Sequence, residues 1–278
     1  MPKLKHIANL WSFGNYPTAS TMWSRERQLE AVKEAGFDGI TFILDEETQR
    51  ICDRLELSLV GYFSTANYKN IRENLKRNKD LGAYHINVQL GDENTPTEIM
   101  VPLAVKLIEE AKALNVEAAV EVHRDTGTET PEKTYALADA YFRVTGELLP
   151  ITWDFSHLAV IKHLFPPFWQ RLLLRPDLVE RAQQFHLRPF NGQHCQVPVT
   201  DGKGNLSLEM TEWLPFLEKT LEMWWAGNKT NPDRELFVVP EMGPIPGGYG
   251  LSCFPPSWED AVHLRKEIQL SWEKVTKL

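Results

Sequence analysis

Short apolar runs recur along this chain, each separated from the next by a longer stretch in which apolar residues return every three or four positions. The runs fall at 6–13 (HIANLWSF), 38–44 (DGITFIL), 57–64 (LSLVGYFS), 84–91 (YHINVQLG), 116–123 (VEAAVEVH), 150–157 (PITWDFSH), 184–190 (QFHLRPF) and 235–242 (ELFVVPEM). All are short, and rich in β-branched or aromatic side chains, as strands buried on both faces are. The stretches between them read as amphipathic helices. RERQLEAVKEAG is one, with Gly36 as its C-cap, and TPTEIMVPLAVKLIEEAKALN is another, with Thr97 placed to N-cap an acidic first turn.

Strict alternation of strand and helix implies a parallel sheet, and eight units fit closure into a barrel better than an open doubly wound sheet. The expected fold is therefore α/β, a (β/α)8 TIM barrel in a single domain spanning 1–278, close to the roughly 250 residues such a barrel needs. A Rossmann-type sheet would want a glycine-rich turn after the first strand. SFGNYPTAS contains neither GxGxxG nor a P-loop, so nucleotide binding by those motifs finds no support. Two long irregular stretches, 188–210 and 242–257, follow the last two strands and are expected to shape the mouth of a pocket.

Composition narrows the function classes. Hydrophobic residues at 42% and charged residues at 24% exclude disorder, and no apolar stretch approaches the roughly 20 residues of a membrane span. The N-terminus lacks a secretory signal pattern. A soluble, cytoplasmic protein with no membrane partner is the expectation. Cys52, Cys195 and Cys253 form no CxxC pair, which argues against a disulfide framework and a cysteine zinc site. A formal net charge of −8 disfavours a nucleic-acid partner.

Against this background four residues stand out. Glu121, Asp154, His186 and Glu241 lie at the downstream ends of runs five to eight. A charged side chain at the end of a buried strand is costly unless it is paired or bound to a metal. Ion pairing explains any one of them alone; the four together call for one divalent cation. Three carboxylates and one imidazole suit Mn²⁺ first, with Mg²⁺ and Co²⁺ close behind and Zn²⁺ compatible.

In their order and spacing these residues resemble the xylose isomerase-like barrels, which include sugar isomerases and epimerases such as D-tagatose 3-epimerase. The matching elements are VEVH, the Asp-x-x-His of Asp154 and His157, His186 with Arg188 two residues on, the turn DGKGNLSL, and PEMG. The resemblance implies one divalent cation held by Glu121, Asp154, His186 and Glu241, with His157 and Arg188 on substrate oxygens. It also implies a small sugar, keto-sugar or polyol as substrate and an enediolate stabilised by the metal, with Glu121 and Glu241 as the proton-transfer pair.

His123 and Arg124 are candidates for the rim of the site, where a phosphate or carboxylate could bind. His194 and Gln196 could enter it from the loop after run seven. Trp11 and Phe13, with Tyr62 and Phe63, could pack on a sugar face. A lyase on the same scaffold, of the inosose or dehydroshikimate dehydratase type, shares the same ligands and stays open. An abasic-site endonuclease would need further histidines where this chain has Gln89, and a non-catalytic binding protein is a further alternative. Substrate identity, and whether the chain forms a homo-oligomer, stay open.

Overall fold

The computed structural model describes residues 1–277. Eight strands, β1 (Lys3–Asn9), β2 (Gly39–Thr41), β3 (Ser58–Thr65), β4 (His85–Leu90), β5 (Glu117–Glu121), β6 (Ile151–Trp153), β7 (Gln184–Leu187) and β8 (Glu235–Pro240), pair in parallel in chain order, and β8 returns to pair with β1. The result is the expected closed (β/α)8 barrel.

Helices α1 (Arg25–Glu34), α2 (Glu46–Leu55), α3 (Ile71–Asp80), α4 (Thr97–Leu114) and α5 (Pro131–Thr145) fill the first five crossovers. Local chemistry sets their ends. Ser24 caps α1 through a bond from Arg27 N, and Thr130 caps α5 ahead of Pro131, which fits the first turn because its missing N–H would have no partner there. Gly36 lies one residue past the C-cap of α1, at φ +77°, where a left-handed residue ends the helix. Thr97 proves to be the first helical residue of α4. Pro96 takes the N-cap position, with no side-chain cap.

The β6–β7 crossover departs from one helix per strand. It contains three short helices, α6 (Phe155–Ile161), α7 (Trp169–Leu172) and α8 (Pro176–Arg181), before α9 (Leu208–Asn228) and α10 (Ser257–Thr276) complete the ring. No helix among the described residues is long and apolar enough to cross a membrane.

The main apolar core lies between sheet and helices, and a second small cluster, Ile7, Val60, Phe237 and Val239, is separate from it. Because side chains alternate along a strand, the next positions on the same face downstream are Asn9 after Ile7, Tyr62 after Val60, and Glu241 after Val239. The barrel interior thus changes from hydrocarbon to polar groups within one residue pair. That change places the site at the C-terminal mouth.

Candidate functional site

Glu121 ends β5, Asp154 follows β6, His186 lies in β7 and Glu241 follows β8. One ligand atom from each lies within 4.8 Å of those of the other three. All four are buried, Asp154 completely and Glu241 with 8% exposure. His186 Nδ1 is 2.9 Å from Glu121 Oε1 and 3.1 Å from Glu241 Oε2. Arg188 Nη2 contacts Asp154 Oδ2 and lies 3.0 Å from Glu241 Oε2, while His157 Nε2 is 3.3 Å from Asp154 Oδ2.

Neutral groups fix the orientation of each member. Asn87 Nδ2 donates to Glu121 Oε2 at 2.7 Å, and Asn9 Nδ2 donates to Glu241 Oε1 at 2.8 Å. Asp154 N-caps α6 by accepting from Ser156 N, and it takes the Ser156 hydroxyl as well. The Gln184 amide lies 2.7 Å from His186 Nε2. With its carbonyl turned to accept from Nε2–H, Nδ1 is the ring nitrogen left facing the carboxylates, free to give up its proton to a cation as a ligating imidazole does.

Electrostatics describe a cluster short of positive charge. Burial works to raise the Glu121 carboxyl, but the adjacent His186 outweighs it and holds the group at about 2. Burial likewise opposes ionisation of Asp154 and Glu241. Arg188 holds Asp154 well below the usual carboxylate range, and His186 and Arg188 lower Glu241. His186 is driven well above its ordinary value because Glu241 and Glu121 outweigh its burial, whereas burial pushes His157 down.

The donor set fits a divalent cation. Three carboxylates and one imidazole are hard or borderline ligands, and their atoms are closer than unscreened like charges would settle. Two buried atoms at the centre, His186 Nδ1 and Glu241 Oε2, have no well-directed hydrogen-bond partner. Buried polar atoms are rarely left this way, and a shared cation would satisfy both.

Above Glu121, His186 and Glu241 opens a cavity of ≈ 260 Å³, just below the usual range for a ligand site, with Asp154 beneath its wall. Its two halves differ. Strands β1–β4 and their downstream turns contribute Asn9, Trp11, Thr41, Phe42, Ile43, Tyr62, Asn87 and Gln89, none of them charged. The half belonging to β5–β8 contributes Glu121, His123, Arg124, His186, Glu241 and Tyr249. His123 Nδ1 lies 2.7 Å from the Arg124 carbonyl and can only donate to it, so in the neutral ring Nε2 is the acceptor.

Several residues expected from the sequence lie elsewhere. Phe13 is in a 3-10 turn (Leu10–Phe13), not at a strand end; it is 2% exposed and stacked on Trp258 at 4.1 Å, so it belongs to the core. His194 is exposed and bonded to Asn191, and does not line the cavity. Arg188 and His157 are also off the cavity wall. The Tyr249 ring covers them, 4.6 Å from the Arg188 guanidinium and 5.9 Å from the His157 ring. Of the two long loops only the second reaches the cavity, through Tyr249. The first supports it: buried Gln196 bonds both the N–H and the C=O of Gly243.

Asn9, Asn87, Gln184, Ser156 and Tyr249 were missed in the sequence. The first three carried a signal, an amide in an otherwise apolar strand run. Tyr249 carried none.

No family model and no curated protein matches the sequence. Solved structures do match. An L-ribulose 3-epimerase is 16% identical over 100% of this chain and 96% of its own, with a TM-score of 0.65. The 3-keto-D-glucoside 4-epimerase of E. coli is 14% identical over 96% and 100%, at 0.58. A xylose isomerase-like TIM barrel protein from Mycobacterium smegmatis, solved in complex with magnesium, is 15% identical over 96% and 97%, at 0.57. With end-to-end coverage at so low an identity, what is shared is the architecture: this chain has the (β/α)8 TIM-barrel fold of these xylose isomerase-like proteins.

Proposed function

We propose that the chain is a divalent-metal-dependent isomerase or epimerase acting on a small sugar, keto-sugar or polyol. The observation that carries this reading is the buried cluster of Glu121, Asp154, His186 and Glu241 at the C-terminal mouth of the barrel, opening into a cavity of small-ligand size. The epimerases among the structural neighbours support it. When bound, the cation supplies Lewis-acid stabilisation of the negative charge created when a proton leaves the carbon beside a carbonyl. Mn²⁺ is our first assignment, with Mg²⁺ and Co²⁺ accepted by the same donors.

The protein's own groups do the rest. Glu121 from β5 and Glu241 from β8 both line the cavity, and each has one oxygen held by an amide, so both are oriented before substrate arrives. One removes the proton next to the carbonyl and the other returns one to the neighbouring or inverted carbon. His123 Nε2 accepts from a substrate hydroxyl. The faces of Trp11 and Tyr62 pack on the C–H surface of the sugar. Arg188 is a positioning residue that holds Asp154 and Glu241, and His157 steadies Asp154. The covering ring of Tyr249 keeps these ion pairs from water.

Proton exchange tests this directly. Metal-loaded protein incubated in D₂O with a panel of keto-sugars should place deuterium at the reacting carbon of at least one. Glu121→Gln and Glu241→Gln should lower that exchange by at least about 100-fold while retaining part of the bound metal. Exchange at the parent rate in both variants would exclude the pair as bases, and loss of water from the product would assign a lyase.

A further inference from the structure

The reading above leaves one charge on the cavity wall without a role. Arg124 lines the cavity, and among the described residues its guanidinium donates no hydrogen bond. The one carboxylate within ion-pair reach is that of Asp125, 3.7 Å away and itself 78% exposed, too solvated to neutralise it. The guanidinium instead rests over the Tyr249 ring at 4.7 Å, which holds it at the cavity mouth.

Charge balance shows what it faces. The three carboxylates, Arg188 and a divalent cation sum to zero with His186 neutral, so the deep end of the cavity offers no net attraction to a further anion. The opposite wall is uncharged. Arg124, itself 55% exposed, is therefore the one charged side chain of the lining outside the cluster of Glu121, His186 and Glu241. Tyr249 lines the same cavity and its ring backs the guanidinium, while its hydroxyl is buried away from the accessible surface. One planar guanidinium offers two parallel donors that match the two oxygens of a carboxylate; a phosphate dianion would call for more donors than this wall provides.

We infer that the substrate is a sugar acid, whose carboxylate is held by the Arg124 guanidinium at the rim, while its carbonyl end lies against Glu121 and Glu241. The inference rests on the enolisation reading of the same site and adds the substrate class to it.

Binding separates the two claims. The probes are aldonates from tetrose to hexose length, the matching alditols, and phosphorylated alditols, titrated by calorimetry into Mn²⁺-loaded and into metal-free protein. At least one aldonate should bind about 10- to 100-fold tighter than its alditol, the range of a charge-assisted hydrogen bond. Arg124→Ala should remove that preference and Arg124→Lys should restore part of it.

Three results would overturn the assignment. They are no preference for any aldonate, a preference that survives in Arg124→Ala because the carboxylate binds the metal instead, or a preference confined to phosphorylated probes. Deuterium exchange is read separately. Exchange into neutral ketoses without an aldonate preference overturns the sugar-acid assignment and leaves the isomerase reading standing. An Arg124-dependent preference with no exchange into any keto acid sugar overturns the isomerase reading and leaves the carboxylate site standing.

Discussion

Arg188 is 1% exposed and contacts two buried carboxylates, Asp154 and, at 3.0 Å, Glu241. Arg188→Met removes the guanidinium and keeps most of the side-chain length. At an effective dielectric of about 20 the pair with Glu241 alone carries a Coulomb energy of about 5–6 kcal/mol. The desolvation of the guanidinium offsets part of that, and breaking a buried pair by deleting one partner leaves a loss of about 3–5 kcal/mol. At about 2–4 °C per kcal/mol for larger domains, Tm of the metal-free variant should fall by on the order of 10 °C. Adding Mn²⁺ should then raise Tm by more in the variant than in the parent, because the cation now meets a cluster with one more uncompensated negative charge. Thermal unfolding of both proteins with chelator and with saturating Mn²⁺ measures both effects. A metal-free variant within about 2 °C of the parent, or one that Mn²⁺ stabilises less than the parent, would refute the role assigned to Arg188.

Other side chains give separate tests. Phe13→Ala should cost about 3–5 kcal/mol of stability through loss of core packing on Trp258 while leaving KM of the folded enzyme unchanged, whereas Trp11→Ala should raise KM; calorimetry and steady-state kinetics read these apart. Gln196→Leu orphans the Gly243 N–H, a loss of about 1–3 kcal/mol, and should speed amide hydrogen exchange across 243–257. His6 is held chiefly by burial at about 4 instead of 6.5. Below the higher value the unfolded chain binds a proton that the folded one refuses, so stability should fall between those limits by about 3 kcal/mol in total. Denaturant titrations of His6→Gln across this range should show a shallower fall than the parent, and an equal slope would exclude His6 as its cause.

The barrel was legible in the sequence because strand–helix alternation is a long-range pattern that survives errors at element ends. The ends were not legible, and the reason is local. Run one read as strand through Phe13, but the Asn9 side chain accepts from Trp11 N and turns the backbone out of the ladder. Run six read as strand through His157, but Asp154, three residues earlier, caps α6. Both stop signals are polar residues of the site itself, so an apolar pattern passes over them. The four clustered ligand-type residues were legible because charge at the end of a buried strand is anomalous on its own. Arg188 and His157 were found as residues and misplaced as surfaces, since whether a side chain lines a cavity depends on Tyr249, which lies far along the chain from both, in a loop with no periodicity to read.

On the proposed reading, the division of the cavity wall means that the space around the body of the substrate is shaped by β1–β4, while the reacting groups and the carboxylate-binding Arg124 come from β5–β8. Thr41, Phe42, Ile43, Tyr62 and Gln89 can be exchanged to reshape the space around a substrate while the groups on β5–β8 and their amide braces stay in register. Asn9 and Asn87 are the exceptions, because they reach across from the first half to hold Glu241 and Glu121. A directed library confined to those five positions, with both asparagines kept, should therefore change which substrates support the proposed deuterium exchange without abolishing it.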